Sequence, residues 1–311
     1  GRGDAGELGE LVHGLMPVLK RLRGFCPGLH KGGGKEKAAR AAASVMALDA
    51  MGSAATCASM AKLFIGTAGW SIGARYAAHF PAEGTHLERY GARLGAVEIN
   101  SSFYRPHRRE TYERWAASVP AGFRFSVKLP KAITHERRLA GFEAPLDRFM
   151  TEVCGLGRRL GVLLVQMPPS LRFEERTAAA FFERLVAASD AAIVCEPRHA
   201  SWREAEPLLQ GLRVARAAAD PPPYPGADRP GGWKGLAYFR LHGVPHIYRS
   251  DYSAERLNDV ERQLLASKEA GAEAWCIFDN TAEGHALGNA LAVHDALRRP
   301  AADTKALAQP G

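Results

Sequence analysis

From Met60 onward the chain alternates short apolar runs with stretches of helical or turn-rich pattern. The runs are "LFIGTA" (63–68), "AVEIN" (96–100), "FRFSVKL" (123–129), "GVLLVQM" (161–167), "AAIVCE" (191–196), "RVARAA" (213–218), "GLAYFRLH" (235–242) and "AWCIFDN" (274–280). Helical spacing of apolar residues marks "TYERWAAS" after the second run, "ERTAAAFFERLVAAS" after the fourth and "DVERQLLASKEAG" before the eighth. Eight strands with helical crossovers over about 250 residues predict an α/β fold of the (β/α)8 TIM-barrel class. An open doubly wound sheet is the other arrangement this alternation permits. Its phosphate-binding fingerprint is missing, because "GTAGWSIGA" after the first strand does not supply G-x-G-x-x-G.

The repeating unit occupies residues 60–298. Residues 1–59 differ from it. "GRGDAGELGE" and "GLHKGGGKEK" are rich in glycine and charge, and the alanine-rich stretch after them lacks the large apolar residues a core needs. Residues 1–59 are therefore expected to be a disordered or loosely helical extension outside the fold, with Met60 the expected natural start. Residues 299–311, ending "ADTKALAQPG", read as a disordered tail.

The five cysteines are Cys26, Cys57, Cys154, Cys195 and Cys276, with no C-x-x-C among them. Cys195 and Cys276 lie inside strand-like runs, where a reduced thiol behaves as a small hydrophobe. This usage fits a reducing cytoplasm rather than a zinc finger or a disulfide scaffold. No run approaches the roughly 20 apolar residues of a membrane helix. The formal charge is +8, of which residues 1–59 supply +3 through eight Lys/Arg against five Asp/Glu. The remaining excess suits an anionic substrate or a polyanion.

The strand ends carry the chemistry. Side chains alternate along a strand, so residues i and i+2 share a face. Val97 and Ile99 oppose Glu98 and Asn100; Phe125 and Val127 oppose Ser126 and Lys128. Glu196 and Arg198 are in phase, and Tyr238, Arg240 and His242 oppose Phe239 and Leu241. The fourth strand ends in Gln166 and the eighth in Asp279 and Asn280. In a barrel the apolar face packs on the helices, and the C-terminal strand ends form the active-site mouth. Glu98, Asn100, Lys128, Gln166, Glu196, Arg240, His242 and Asp279 then converge on one place. Such a set is either a functional site or an ionic plug that fills the barrel top.

These residue types permit several chemistries. Glu98 and Glu196 could divide acid and base roles if their environments differ, and His242 could exchange protons near neutral pH. Lys128, Arg198 and Arg240 could hold a phosphate or carboxylate. Lys128 could instead be a Schiff-base nucleophile, if desolvation favours its neutral amine, or simply a salt-bridge partner of the carboxylates. Asn100, Gln166, Asp279 and Asn280 are candidates for orienting a substrate, and Phe103 and Tyr104 for lining its pocket. Trp70 and Trp202 could wall the mouth or pack as caps. Glu98, Glu196, His242 and Asp279, with His135 and His199 behind them, are a candidate metal set, but none has H-E-x-x-H spacing. The sequence names neither a metal nor a cofactor. The segment "SSFYRPHRRETYERW" (101–115) interleaves Tyr104, Tyr112 and Trp115 with arginines, a composition that could bind single-stranded nucleic acid. Alternatively, Tyr112 and Trp115 form a helix core stripe and the arginines a solvated face.

The motifs "IGTAGWS", "VEINSSFYRPHRRETYERW", "FRFSVKLPKAITH", "LLVQMPPSLRF", "CEPRHASW", "YFRLHG" and "CIFDNTAEGHA", in this order over residues 62–297, resemble the DUF72 (YecE-like) family. The resemblance implies a TIM-barrel fold and supplies no reaction. One departure is the proline-rich "DPPPYPG" after the sixth strand, so the resemblance says least about the wall that Asp220 contributes. The resulting expectation is a cytoplasmic barrel enzyme acting on a small anionic substrate, a phosphorylated one included, by acid–base or hydrolytic chemistry. The alternatives are nucleic-acid binding, metal-dependent phosphodiester processing, or a non-catalytic ligand-binding barrel. No oligomeric state follows from the sequence.

Overall fold

A computed structural model describes residues 62–299; the expectations for residues 1–59 and for the tail beyond Arg299 lie outside the described residues. The strands are β1 (Leu63–Thr67), β2 (Ala96–Ile99), β3 (Arg124–Lys128), β4 (Leu160–Gln166), β5 (Ala192–Glu196), β6 (Val214–Arg216), β7 (Ala218–Asp220), β8 (Gly231–Gly232), β9 (Leu236–Leu241) and β10 (Glu273–Phe278). The described helices are α1 (His86–Gly91), α2 (Arg109–Ala117), α3 (Glu143–Val153), α4 (Glu175–Ala188), α5 (Glu206–Gly211), α6 (Ala254–Glu269) and α7 (His285–Ala296).

Parallel pairing runs β2-β3-β4-β5-β6 and, separately, β7-β9-β10-β1. Two seams join these runs. β6 and β7 are halves of the expected sixth strand, parted at Ala217. The first half pairs with β5 and the second with β9. β1 and β2 meet at the Ala68–Glu98 bridge, where the Gly69 N–H donates to the Glu98 carbonyl at 2.9 Å. The pairing thus closes into the ring of eight parallel positions that defines a (β/α)8 barrel. The two-residue β8 adds an antiparallel edge to β6.

Just below the Ala68–Glu98 bridge, backbone pairing is replaced by a side chain. The Tyr90 hydroxyl from α1 accepts from the Thr67 N–H (2.9 Å) and donates to the Ala96 carbonyl (3.0 Å). Gly66 allows this approach, because a Cβ there would overlap the Ala96 carbonyl oxygen. Burial pushes the Tyr90 phenol pKa up, so it stays a donor.

Alternation along the strands separates two cores. Ile65, Val97, Phe125, Leu163, Ile193 and Phe239 point outward and pack with Leu87, Tyr112, Phe149, Phe181 and Leu264 of the helices. Phe64, Val162, Leu164, Val194, Tyr238, Trp275 and Ile277 fill the interior. Each fully buried side chain of this size contributes about 1.5–3 kcal/mol relative to exposure. Tyr238 ends the dry layer: its hydroxyl pairs with Ser126 Oγ at 2.8 Å and donates to Glu98 Oε2 at 3.2 Å. Beyond it, at the C-terminal strand ends, polar side chains converge, with Ile277 beside Arg240 and Leu164 beside Lys128 among them. No described helix is long and apolar enough to cross a membrane.

Candidate active site at the C-terminal strand ends

Arg240, fully buried on β9, organises the polar layer. Its Nε and Nη2 donate to both oxygens of Glu98 at 2.9 and 2.7 Å. Nη1 reaches Glu196 Oε2 at 3.2 Å, and Nη2 lies 3.0 Å from Asp279 Oδ2. The guanidinium thus stands between three carboxylates, where a cation would otherwise sit. No group of three or more His, Cys, Asp or Glu side chains poised to hold a metal ion occurs among the described residues.

Glu196 Oε1 collects the other contacts. It accepts from Gln166 Nε2 at 3.1 Å, pairs with Arg198 Nη2 at 2.6 Å, and lies 3.0 Å from His242 Nε2. Burial alone would raise the Glu196 carboxyl, but Arg198, Arg240 and His242 outweigh it and hold the pKa well below the usual carboxylate range. The same opposition, with Arg240 and His242 prevailing over burial, lowers Asp279. His242 bridges the two: Nδ1 is 3.0 Å from Asp279 Oδ2, and Nε2 is also 2.5 Å from Arg198 Nη2. A guanidinium only donates and a carboxylate only accepts. Nε2 therefore faces one group that wants its lone pair and one that wants its proton. That arrangement suits a proton moved between His242 and Glu196.

Lys128 is the exception. It is 5% exposed, yet its ammonium makes no ion pair or hydrogen bond among the described residues. Its Nζ lies 4.1 Å from the centre of the Phe103 ring. Burial and the repelling Arg240 guanidinium push its pKa down to about 8, against the pull of Glu98, Glu196 and Asp279. A π-helical turn, Ala132–Glu136, follows β3 and brings His135 edge-on to the same Phe103 ring at 4.8 Å. Burial and Lys128 both lower the His135 pKa.

The model of a protein family described as "Protein of unknown function DUF72" matches residues 64–310. The chain belongs to the DUF72 family. Among curated relatives, UPF0759 protein YecE of Escherichia coli (strain K12) is 31% identical over 84 residues, which span 27% of this chain and 31% of YecE. The matched stretch thus spans less than a third of YecE's length. UPF0759 protein YunF of Bacillus subtilis (strain 168) is 22% identical over 260 residues, 73% of this chain and 92% of YunF. A DUF72 crystal structure from Enterococcus faecalis V583 aligns with a TM-score of 0.64 at 21% identity, covering 76% of this chain and 96% of that one. Another, from Thermotoga maritima MSB8, aligns with a TM-score of 0.62 at 23% identity, covering 76% and 100%. These likenesses carry the fold and no chemistry.

In this DUF72 chain, Glu98, Lys128, Gln166, Glu196, Arg198, Arg240, His242 and Asp279 come together, and Phe103 joins them through Lys128. Three of the expected residues stand apart. The Asn280 amide donates to the Ser250 carbonyl at 2.9 Å and to Asn289 Oδ1 at 2.8 Å, tying β10 to α7 and the loop before α6. Tyr104 is 71% exposed, edge-on to Phe103. The buried Asn100 Oδ1 has no hydrogen-bond partner among the described residues. The tryptophans pack: Trp202 is buried and donates to the Leu171 carbonyl at 2.9 Å, and Trp70 meets Trp115 edge-on at 5.1 Å. His199 accepts from the Ser201 N–H and is not part of the cluster.

Two neighbours escaped the sequence reading. One is His135 as a companion of the Lys128–Phe103 pair, for which the π-helical turn gives no sequence signal. The other is Tyr248. Its N–H donates to the His242 carbonyl at 2.5 Å, and its ring lies edge-on to the His242 imidazole at 5.7 Å. Tyr248 takes φ 69°, a left-handed conformation that costs a non-glycine residue roughly 1 kcal/mol. A strained residue over a buried imidazole is a feature that only the folded loop displays.

Proposed function

We propose that this DUF72 chain is an enzyme that takes a small anionic substrate at the C-terminal barrel mouth and acts on it by acid–base, hydrolytic chemistry. The observation that carries this reading is Lys128. Three carboxylates in the mouth are held by arginines, and one nearly buried ammonium is left with no ion pair or hydrogen bond among the described residues. A substrate carboxylate or phosphate would supply it. Arg240, whose donors are engaged by Glu98, Glu196 and Asp279, serves as scaffold in this reading rather than as a substrate ligand. Glu98, beneath Arg240, shares that role. Glu196 and His242 are the acid–base pair, Asp279 fixes the imidazole, and Gln166 and Arg198 position Glu196. The buried thiols of Cys195 and Cys276, neither in a disulfide, support a reducing, cytoplasmic setting.

The test is native mass spectrometry of the gently purified full chain, beside Lys128→Ala and Glu196→Gln. A small anion retained by the wild type and lost from Lys128→Ala is the expected result. A bare wild type whose melting temperature no anionic metabolite shifts would overturn the reading.

A second reading has its own observation. Arg105 and Arg108 follow the exposed Tyr104 in the chain and line one surface groove, and their side chains have no ion-pair or hydrogen-bond partner among the described residues. An exposed aromatic beside free guanidiniums favours a single-stranded polyanion on the outer rim.

A further inference from the structure

We propose that Lys128 is a covalent catalyst: its amine forms an imine with the carbonyl carbon of a small 2-oxo acid bound in the barrel mouth. This rests on the reading of the mouth as a site for a small anion and names the class of that anion.

The argument begins with where the carboxylates are directed. A lysine beside Glu98, Glu196 and Asp279 would ordinarily be locked as an ammonium in a salt bridge. Here Arg240 takes Glu98 at 2.7 and 2.9 Å and also reaches Glu196 and Asp279, while Arg198 takes Glu196 at 2.6 Å. The amine is left against the Phe103 ring. An unpaired ammonium in a buried place costs several kcal/mol, and a barrel with no use for it would be more stable with a methionine. The groups facing Lys128 are Arg240 on β9, Glu98 on β2, Glu196 on β5, Asp279 after β10 and His135 in the turn after β3. Burial and Arg240 win among them, and the amine becomes half neutral at about pH 8. A neutral amine near physiological pH is the form that attacks a carbonyl.

The step balances without an oxidant. Lys128 loses its ammonium proton to solvent, and the nitrogen lone pair forms an N–C bond as the C=O π pair moves to oxygen. That oxygen takes two protons in turn while the nitrogen gives up two, and the nitrogen lone pair closes the C=N bond as the C–O bond breaks and its electron pair leaves with water. Amine plus carbonyl gives imine plus water. The ammonium form of Lys128 attracts the acid's carboxylate. Once the amine is neutral, that carboxylate passes to Arg198, 14% exposed, through the guanidinium nitrogens other than Nη2, which already holds Glu196 and His242.

The experiment incubates the full chain with pyruvate or glyoxylate and sodium cyanoborohydride, whose hydride converts an imine to a stable secondary amine. Peptide mapping then locates the label. The expected result is label on Lys128 at least about tenfold faster at pH 7 than on exposed Lys131 or Lys234, because an ordinary lysine is neutral only near pH 10.4. Labelling of Lys128 should level off above about pH 8, while the exposed lysines continue to rise. Lys128→Arg and Lys128→Met should lose that label and keep the background. Label spread evenly over the lysines of the wild type would overturn the proposal, whether or not either variant folds. If native mass spectrometry finds a retained small anion while Lys128 stays unlabelled, the imine fails and the anion site stands. If neither appears, both fail.

Discussion

Removing the Arg240 guanidinium would leave Glu98, Glu196 and Asp279 facing one another in a dry interior. An Arg240→Met variant should lose about 3–5 kcal/mol at pH 7, the usual cost of stripping one partner from a buried ion pair. The loss should shrink on acidification. Without the guanidinium, burial is opposed at Glu196 only by Arg198 and His242, and at Asp279 only by His242 and Lys128, so their folded pKa values rise from those of the wild type. Falling pH then costs the wild type more stability than it costs the variant. Urea denaturation of both proteins at pH 7 and pH 5 reads this directly; a gap that does not narrow would mean the carboxylates find other partners. Lys128 predicts the opposite sign. Its folded pKa of about 8 lies below its ordinary value of 10.5, so the folded state releases a proton that the unfolded state keeps. Stability should therefore rise with pH between about 8 and 10.5. Lys128→Met should be more stable than the wild type at pH 7 by up to about 3 kcal/mol, at 1.36 kcal/mol per pKa unit, with the gap closing above pH 10. An unchanged or reduced stability of Lys128→Met at pH 7 would count Lys128 as structural. At this scale the sequence was informative about which residues meet, because alternation puts Glu98, Lys128, Glu196, Arg240 and His242 on inner faces. It was silent on who pairs with whom: the Arg240–Glu98 contact spans 142 positions and is decided by fractions of an ångström.

The strand ring is closed by ladders everywhere except at β1–β2, where a single backbone bridge is supplemented by a phenol. Tyr90→Phe would orphan the Thr67 N–H and the Ala96 carbonyl inside the wall. Each buried unsatisfied group costs about 1–3 kcal/mol, so a loss of about 2–4 kcal/mol is expected. Amide hydrogen exchange should show Thr67 and Gly69 losing protection before β4 or β5 does; a uniform loss would mean the seam is not a separate weak point. Nothing in "HLERYGARLGAVEIN" announces this role, because it depends on the angle at which α1 enters the ring. The strands themselves were legible to within about two residues, since inner and outer faces impose opposite polarity on alternate positions. The sixth was not. "RVARAA" is too small and too mixed to show that it parts at Ala217 and serves two neighbours in turn. β8, a bare Gly-Gly pair, has no periodicity to read. The six-residue helices α1 and α5 are likewise too short for a helical period to stand out.

At the scale of the whole molecule, charge decides between the two readings of function. In the buried network Glu98, Glu196 and Asp279 are matched in number by Lys128, Arg198 and Arg240, so the cationic excess of the barrel lies outside it, where Arg105 and Arg108 are. Two electrostatic regimes follow. A ligand in the mouth is enclosed and weakly screened, whereas a polyanion on the rim acts through counter-ion release and is strongly salt-dependent. A fluorescent single-stranded oligothymidine should bind weakly at low salt. With Arg105, Arg108 and Arg114 engaged, log K should fall against log salt with a slope of about −2, at roughly 0.7 per neutralised phosphate. Replacing Arg105 and Arg108 by alanine should abolish most of that slope, and Lys128→Arg should leave it unchanged, because Lys128 sits behind Phe103 rather than on the rim. Retention of a small anion in the mouth should follow the reverse pattern, surviving the rim substitutions and failing with Lys128. If the Lys128 variant weakened both ligands together, rim and mouth would form one continuous polyanion path, and the second reading would displace the first. If oligothymidine failed to bind even at low salt, the rim arginines would be a solvated helix face and the mouth would remain the functional site.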